Sequence, residues 1–203
     1  MAFIVWTGFE EWLTEAAEVE LGVDGLRAEG IQLGAEPVPF RVDYRLEAPE
    51  RYVTSELELT ATAEGWSRHL LLTHDGAGAW RAEVADQGGV PGGPWDGELP
   101  DLSEALDIDI ENSPLTNTMP ILREGFRTAG SGDLVMAFVT MPTLRVEASP
   151  QRYDHVRTTE DGSVVRYISR DGDFTADLEL DERGLLVHYP RLGRRVEPGL
   201  KVG

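Results

Sequence analysis

Strict alternation of apolar and polar residues is the feature that most restricts the fold of this chain. In the segment FTADLELD, residues 174–181, every second residue is apolar. A period of two places the apolar side chains on one face of a strand and the polar side chains on the other. The following DERG contains Gly184, which suits a tight turn, and leads into LLVHY. The sequence therefore predicts a β-hairpin here.

Two further segments have the same organisation. SRHLLLTHDGAGAWRAEV predicts a hairpin that turns at Asp75-Gly76, and SVVRYISRDGDFTADLEL predicts one that turns at Asp171-Gly172. Near the N-terminus, residues 9–21 are good helix formers, whereas residues 19–34 are typical of strand, turn and strand. Short strands with turns about every ten residues favour a mainly β fold with a curved sheet, a barrel or a roll.

The length of the chain predicts one domain that spans residues 1–203. A chain of 203 residues with 41% hydrophobic residues has ample material for one packed core. The segment ADQGGVPGGPWDGELPDL, residues 85–102, is rich in Gly and Pro and predicts a long surface loop. We do not place a domain boundary there, because the strand patterns on its two sides are alike.

Charge and composition exclude several classes of function. The formal net charge of -19 repels phosphate backbones and anionic lipid surfaces, so we expect no nucleic-acid partner. The chain has no cysteine, its start does not resemble a signal peptide, and it contains no long apolar run. We therefore expect a cytoplasmic protein that is not embedded in a membrane. The four histidines lack metal-ligand spacing and nucleotide-binding motifs are absent, so no cofactor is expected.

The segment ALDIDIE, residues 105–111, concentrates carboxylates on one face of a predicted strand. The period of two places Asp107, Asp109 and Glu111 on the same face, with neighbouring carboxylates about 7 Å apart. Two interpretations follow. The face is exposed to solvent as part of an acidic surface, or its carboxylates hold a divalent cation or act as an acid and base pair.

The next segment, NSPLTNTMP, predicts a short helix. Ser113 would cap its N-terminus, Pro114 would occupy the first helical position, and Pro120 would end it. The polar residues inside this segment are Thr116, Asn117 and Thr118. They either satisfy exposed backbone groups or line a pocket and form hydrogen bonds with a ligand.

Three stretches together resemble a known bacterial family. LDIDIENSPLTNTMPI, PTLRVEASPQRY and FTADLELDERGLLVHYPRLGRR, in this order and spacing, are similar to the family described as putative glycolipid-binding proteins. The resemblance implies a spiral β-roll, in which a long, strongly curved antiparallel sheet wraps around a single helix. It also implies that a lipid or glycolipid binds between the sheet and the helix without catalysis. The expected ligand-binding residues are Asp107, Asp109, Thr116, Asn117, Thr118, Arg123 and Tyr153.

Two alternative functions remain open at this stage. A metal-dependent phosphohydrolase acting on nucleotides would use Asp107, Asp109 and Glu111 to hold Mg²⁺ or Mn²⁺, with Arg123 or Arg152 neutralising charge on the phosphate. A protein-binding role would use an exposed sheet edge or the loop of residues 91–95. The sequence leaves the oligomeric state undetermined.

Overall fold

The computed structural model describes residues 1–8 and 13–197 and shows a mainly β protein with one 14-stranded sheet. The strands are β1 (Ala2–Gly8), β2 (Leu13–Leu21), β3 (Leu26–Gly34), β4 (Phe40–Ala48), β5 (Glu56–Ala63), β6 (Trp66–His74), β7 (Trp80–Gly88), β8 (Ala105–Ile110), β9 (Ser131–Val139), β10 (Val146–Thr159), β11 (Gly162–Ser169), β12 (Thr175–Asp181), β13 (Leu186–Tyr189) and β14 (Gly193–Arg195). Within these residues the one helix is α1 (Thr118–Arg123), between β8 and β9.

The strand order shows two runs of sequential strands joined at the middle of the sheet. The order is β7-β6-β5-β4-β3-β2-β1-β14-β13-β12-β11-β10-β9-β8. The two runs meet where β1 pairs with β14, with Trp6 opposite Arg195. Neighbouring strands are antiparallel except for β8 and β9, which pair in parallel through the crossover that contains α1. The prediction of a wholly antiparallel sheet is therefore wrong at this one pair, because a parallel pair needs such a crossover.

The predicted hairpins are confirmed, and aspartates stabilise two of their turns. Between β6 and β7, Asp75 Oδ1 accepts hydrogen bonds from the backbone N–H groups of Ala77 and Ala79, at 2.8 and 3.0 Å. Asp181 Oδ1 accepts from Arg183 and Leu185 in the same way after β12. A side chain that accepts hydrogen bonds from the backbone two and four residues later stabilises a turn through local contacts. Such turns can therefore be predicted from the sequence.

The helix differs from the prediction in position and size. Residues 114–117 form turns, and α1 begins at Thr118 and ends at Arg123. Pro120 lies in the first turn of α1, where its missing N–H leaves no intrahelical hydrogen bond unmade, so it does not end the helix. With six helical residues, the expected sheet wrapped around a single helix is not confirmed. The fold is a curved open sheet with almost no helix.

Two other boundaries also differ from the sequence-based expectation. Residues 13–21 form β2 although they are good helix formers, because Ala17 and Val19 alternate into the core and this burial outweighs helix propensity. Residues 9–12 of that segment lie outside the described residues. β7 continues to Gly88, so the predicted surface loop begins after it. The register of β7 with β6, in which Trp66 is opposite Gly88, extends the strand into the Gly-rich segment.

The curvature of the sheet brings its two edge strands into contact. β7 and β8 stand at opposite ends of the strand order, yet Trp80 Nε1 donates a hydrogen bond to the Ala105 carbonyl at 3.0 Å. The segment before β5 also meets β8, because the Thr54 N–H donates to the Leu106 carbonyl at 3.0 Å. β8 therefore lies within the curve of the N-terminal strands.

Two apolar clusters form the core, and β8 with α1 lies at their boundary. The first cluster contains the inward side chains of β1 to β6 together with Ile108, Ile110 and Met119. The second contains Ile121 and inward side chains of β10 to β13. Since alternate residues of a strand point to opposite faces, Asp107 and Asp109 point away from Ile108 and Ile110. This geometry places carboxylates between the two apolar clusters.

Candidate functional site

Both predicted aspartates of β8 are buried rather than exposed. Asp107 is 0% exposed and Asp109 is 6% exposed, and the intervening Ile108 on the other face is also fully buried. The interpretation of this face as a solvated acidic surface is therefore wrong. Other parts of the chain cover both faces of β8. The alternation within β8 does not indicate which distant segments will cover it, so it could not predict this burial.

Asp107 is paired with the arginine of α1. The Arg123 side chain is 3% exposed, and its Nη1 donates a hydrogen bond to Asp107 Oδ2. The same guanidinium donates from Nε to Glu124 Oε1 at 2.8 Å. Burial raises the pKa of Asp107 to about 6, although the charge and hydrogen bond of Arg123 act in the opposite direction. Arg123 is thus held by two carboxylates.

Asp109 is held by neutral donors instead of a cation. Its Oδ1 accepts hydrogen bonds from Thr116 Oγ1 at 2.8 Å and from Asn117 Nδ2 at 3.3 Å. Its Oδ2 accepts from Gln151 Nε2 at 2.7 Å, and Gln151 Oε1 in turn accepts from the Tyr153 hydroxyl at 2.9 Å. Burial raises the pKa of Asp109 to about 6, and these side-chain hydrogen bonds lower it in part.

The structure therefore brings most of the predicted site residues into one layer, which we call the polar layer. It consists of two hydrogen-bonded groups on the same face of β8: Asp107 with Arg123, and Asp109 with Thr116, Asn117 and Gln151, which Tyr153 joins through Gln151. We include the buried Thr118, which follows Asn117 in the chain. Gln151 was not predicted as a site residue. It stands two residues before Tyr153 in β10, so the alternation of that strand would have placed both side chains on the same face.

Thr116 also has an architectural role. Its Oγ1 accepts a hydrogen bond from the Ile110 N–H at 3.3 Å and lies 3.3 Å from the Ser113 carbonyl. In the same way Thr54 Oγ1 accepts from the Ile108 N–H at 3.3 Å. Backbone donors on the free edge of β8 are thus satisfied by threonine hydroxyls rather than by another strand.

Three buried polar atoms of the polar layer have no hydrogen-bond partner within the described part of the chain. They are Asp107 Oδ1, Asn117 Oδ1 and Thr118 Oγ1. Asn117 precedes α1 but forms no side-chain cap, because its own backbone is already helical (φ -66°, ψ -16°) rather than extended, and its amide Nδ2 donates to Asp109. A buried polar atom without a partner costs about 1–3 kcal/mol, so three in one layer need an explanation.

An aromatic cluster adjoins the polar layer. Tyr153 and Tyr167 contact edge to face with ring centroids 5.5 Å apart, and Tyr167 lies 6.1 Å from Tyr189. Phe126 stacks on Tyr153 at 6.2 Å, and Phe174 packs against Tyr167 at 5.9 Å. Burial raises the pKa of the Tyr153 hydroxyl, and the charge of Asp109 raises it further, so this hydroxyl stays protonated.

The alternative metal set is not assembled. Glu111 Oε2 accepts a hydrogen bond from the Met141 N–H at 2.5 Å, while Asp107 and Asp109 have the separate partners described above. Arg152 donates to Asp133 on the exposed side of the sheet. Among the residues that the structure describes, no group of three or more His, Cys, Asp or Glu side chains is placed to hold a metal ion. The hypothesis of a metal site at Asp107, Asp109 and Glu111 is therefore wrong.

The loop of residues 91–95, which was considered for partner binding, is anchored by arginines. Arg145 Nη2 donates to the carbonyls of Gly92 and Gly93, both at 3.1 Å, and its guanidinium lies 5.4 Å from the Trp95 ring centroid. The fully buried Arg68 donates to the Gly93 carbonyl at 3.0 Å and to both carboxylate oxygens of Asp86. These contacts hold the loop against the body of the protein.

A third buried acid, outside the polar layer, was missed from the sequence. Glu15 in β2 is 1% exposed, and its Oε1 accepts hydrogen bonds from the Tyr44 hydroxyl at 2.6 Å and from Ser113 Oγ at 2.7 Å. Burial raises its pKa to about 7. The sequence did contain a signal for this burial. Glu15, Ala17 and Val19 are alternate residues of one strand, so their side chains lie on the same face.

An open groove lies elsewhere, on the outer face of β1 to β5. It has a volume of about 590 Å³, and Phe3, which is 73% exposed, lies beside Glu18, Glu29 and Arg45 in its lining. None of the predicted ligand-binding residues lines this groove.

No helix in the described residues has the length and apolar character needed to span a membrane.

Known proteins resemble this chain in sequence and in fold. The family model described as putative glycolipid-binding matches residues 3–195. The chain is 28% identical to a Pseudomonas aeruginosa protein of a domain-of-unknown-function family, whose crystal structure superposes with a TM-score of 0.71 over 90% of this chain and 92% of that one. A β-barrel-like protein of unknown function from Brucella abortus is 10% identical, with a TM-score of 0.48 over 97% and 94%. None of the curated proteins matches the sequence.

Proposed function

Since the chain belongs to the family described as putative glycolipid-binding proteins, we propose that it binds an amphipathic ligand, a lipid or glycolipid, and catalyses no reaction on it. The observation that carries this proposal is the polar layer, which lies at the boundary of two apolar clusters. An amphipathic ligand needs polar partners for its headgroup beside apolar surface for its acyl chains. The polar layer and the adjacent clusters supply both in one region of the fold.

The proposed residues divide into two groups by their contacts. Asp107, Asn117 and Thr118 each retain a buried oxygen without a protein partner and would contact the headgroup directly. Asp109, Thr116, Arg123 and Tyr153 already have hydrogen-bond partners and would hold the first group in place. The ligand would lie between the inner face of the curved sheet and α1.

Entry of the ligand requires the chain to open, because the unpaired oxygens are buried. We place the opening between the two edge strands. β7 and β8 are held together there by the hydrogen bond of Trp80 to Ala105, without the regular ladder that joins neighbouring strands. A contact of this kind breaks at lower cost than a strand pair, since few backbone hydrogen bonds are lost.

Native mass spectrometry of gently purified protein tests the proposal. We expect a species that carries one lipid or glycolipid mass, identified by organic extraction. Protein that has been stripped of lipid and refolded should take up the same class of lipid from a bacterial lipid extract.

A matched variant separates the proposed site from simple adhesion to the surface. Phe3→Ser removes the most prominent apolar side chain of the outer groove and should leave uptake unchanged. Loss of uptake in this variant would place the lipid on the outer face, and a lipid-free mass before and after incubation with the extract would contradict the proposed function.

A further inference from the structure

We infer that the headgroup recognised at the polar layer is an uncharged sugar, whose hydroxyls donate to Asp107, Asn117 and Thr118, rather than an anionic group. This inference rests on the proposed function and deepens it by naming the chemical class of the headgroup. It follows from which atoms of the layer lack partners and from which charges are already balanced.

The unpaired atoms of the layer require a ligand that donates hydrogen bonds. Asp107 Oδ1 and Asn117 Oδ1 are acceptors, and Thr118 Oγ1 can both accept and donate. A carbohydrate hydroxyl donates one hydrogen bond and accepts others, so adjacent hydroxyls of one sugar ring can satisfy several such atoms. Phosphate, sulfate and carboxylate groups are acceptors when ionised and would face the two acceptors of the layer without a donor between them.

The balance of charge also disfavours an anionic headgroup. Arg123 is the cation of the polar layer, and its guanidinium already donates to Asp107 and to Glu124. A buried negative charge on the ligand would therefore lie near the carboxylates of Asp107 and Asp109, and no free cation of the layer would be available to pair with it. The net charge of -19 repels the same headgroup before it reaches the site.

A pair of matched lipids tests the inference. Lipid-free protein is titrated with two diacylglycerol glycolipids that have identical short acyl chains, one with glucose and one with glucuronic acid, which differ at a single carbon of the sugar. We expect the glucosyl lipid to bind at least tenfold more tightly by isothermal titration calorimetry. Equal or tighter binding of the glucuronosyl lipid, or of a glucosaminyl lipid, would overturn the inference and leave the proposed function standing. Binding of none of these, nor of any lipid in the extract, would overturn both.

A variant at Thr118 separates recognition from structure. Thr118→Val replaces a buried, unpaired hydroxyl with a methyl group of similar shape, so the folded protein should be as stable as the wild type or more stable. If this hydroxyl contacts the sugar, affinity for the glucosyl lipid should nevertheless fall about tenfold. Ser163→Ala is the control, because Ser163 also has a buried hydroxyl without a partner in the described residues but lies in β11, outside the polar layer. An unchanged affinity in both variants would exclude Thr118 as a contact and contradict the inference.

Discussion

Three buried carboxyl groups make the folded protein sensitive to pH. Burial raises the pKa of Glu15 from 4.5 to about 7, and those of Asp107 and Asp109 from 3.8 to about 6. At a pH between the ordinary and the raised pKa of such a group, the folded state therefore binds more protons than the unfolded state. Each group contributes stability that is complete below its ordinary pKa and is lost as the pH rises through the raised pKa.

We predict that the free energy of unfolding falls as the pH rises from about 4.5 to 8, and that Glu15→Gln reduces this fall. Glu15 is expected to account for about 3 kcal/mol, since one pKa unit corresponds to 1.36 kcal/mol. The glutamine keeps an acceptor for Tyr44 and Ser113. It also brings an amide donor near Gln32, which is opposite Glu15 and has an unpaired Oε1.

Urea denaturation at several pH values measures the effect of this substitution. The control is Glu83→Gln, an exposed position of β7 opposite Leu71, which should follow the wild type across the whole range. If the Glu15→Gln protein loses as much stability between pH 5 and 7.5 as the wild type, Glu15 is not the proton-binding group that we describe.

At the scale of elements, the sequence is informative where structure is local. The turns at Asp75 and Asp181 are fixed by side chains that bond the backbone within four residues, and both hairpins were predicted. The parallel pairing of β8 with β9 was not, because it depends on how the crossover packs. The candidate site shows the same division. Asp107, Asp109 and the polar residues 116–118 were singled out from the local pattern, but their burial depends on distant partners such as Thr54 and Gln151.

The free edge of β8 gives a prediction at this scale. Thr54→Val removes the hydroxyl that accepts from the Ile108 N–H and leaves this buried donor without a partner. We expect a loss of about 1–3 kcal/mol of unfolding free energy, which is the cost of an unpaired buried polar group. Thr62→Val, at an exposed position of β5, is the matched control and should change stability by less than about 0.5 kcal/mol. Equal stability of the two variants would show that Thr54 does not protect the edge.

At the scale of the whole molecule, charge acts against compaction. The chain carries 37 acidic and 18 basic residues, and several acids face one another directly, as Glu18 and Glu29 do across β2 and β3. Arginines offset part of this repulsion, for example in the pair of Arg27 with Glu47 at 2.7 Å. Exposed pairs of this kind contribute about 0–1 kcal/mol each, so they cannot balance the excess of acids.

We therefore predict that salt stabilises this protein at neutral pH. Raising NaCl from about 10 mM to 1 M shortens the screening length from about 30 Å to 3 Å, so long-range repulsion among the acids is lost together with the weaker attraction of exposed pairs. Because the acids are in excess, the melting temperature should rise, by about 2–4 °C for each kcal/mol of relieved repulsion.

Thermal melts at pH 7.5 measure this change in melting temperature. Melts near the isoelectric point of about 4.5 provide the control, since net repulsion is absent there and the salt effect should largely vanish. An increase of the same size at both pH values would assign the effect to strengthened apolar burial instead of charge screening, and a decrease at pH 7.5 would show that the ion pairs outweigh the repulsion.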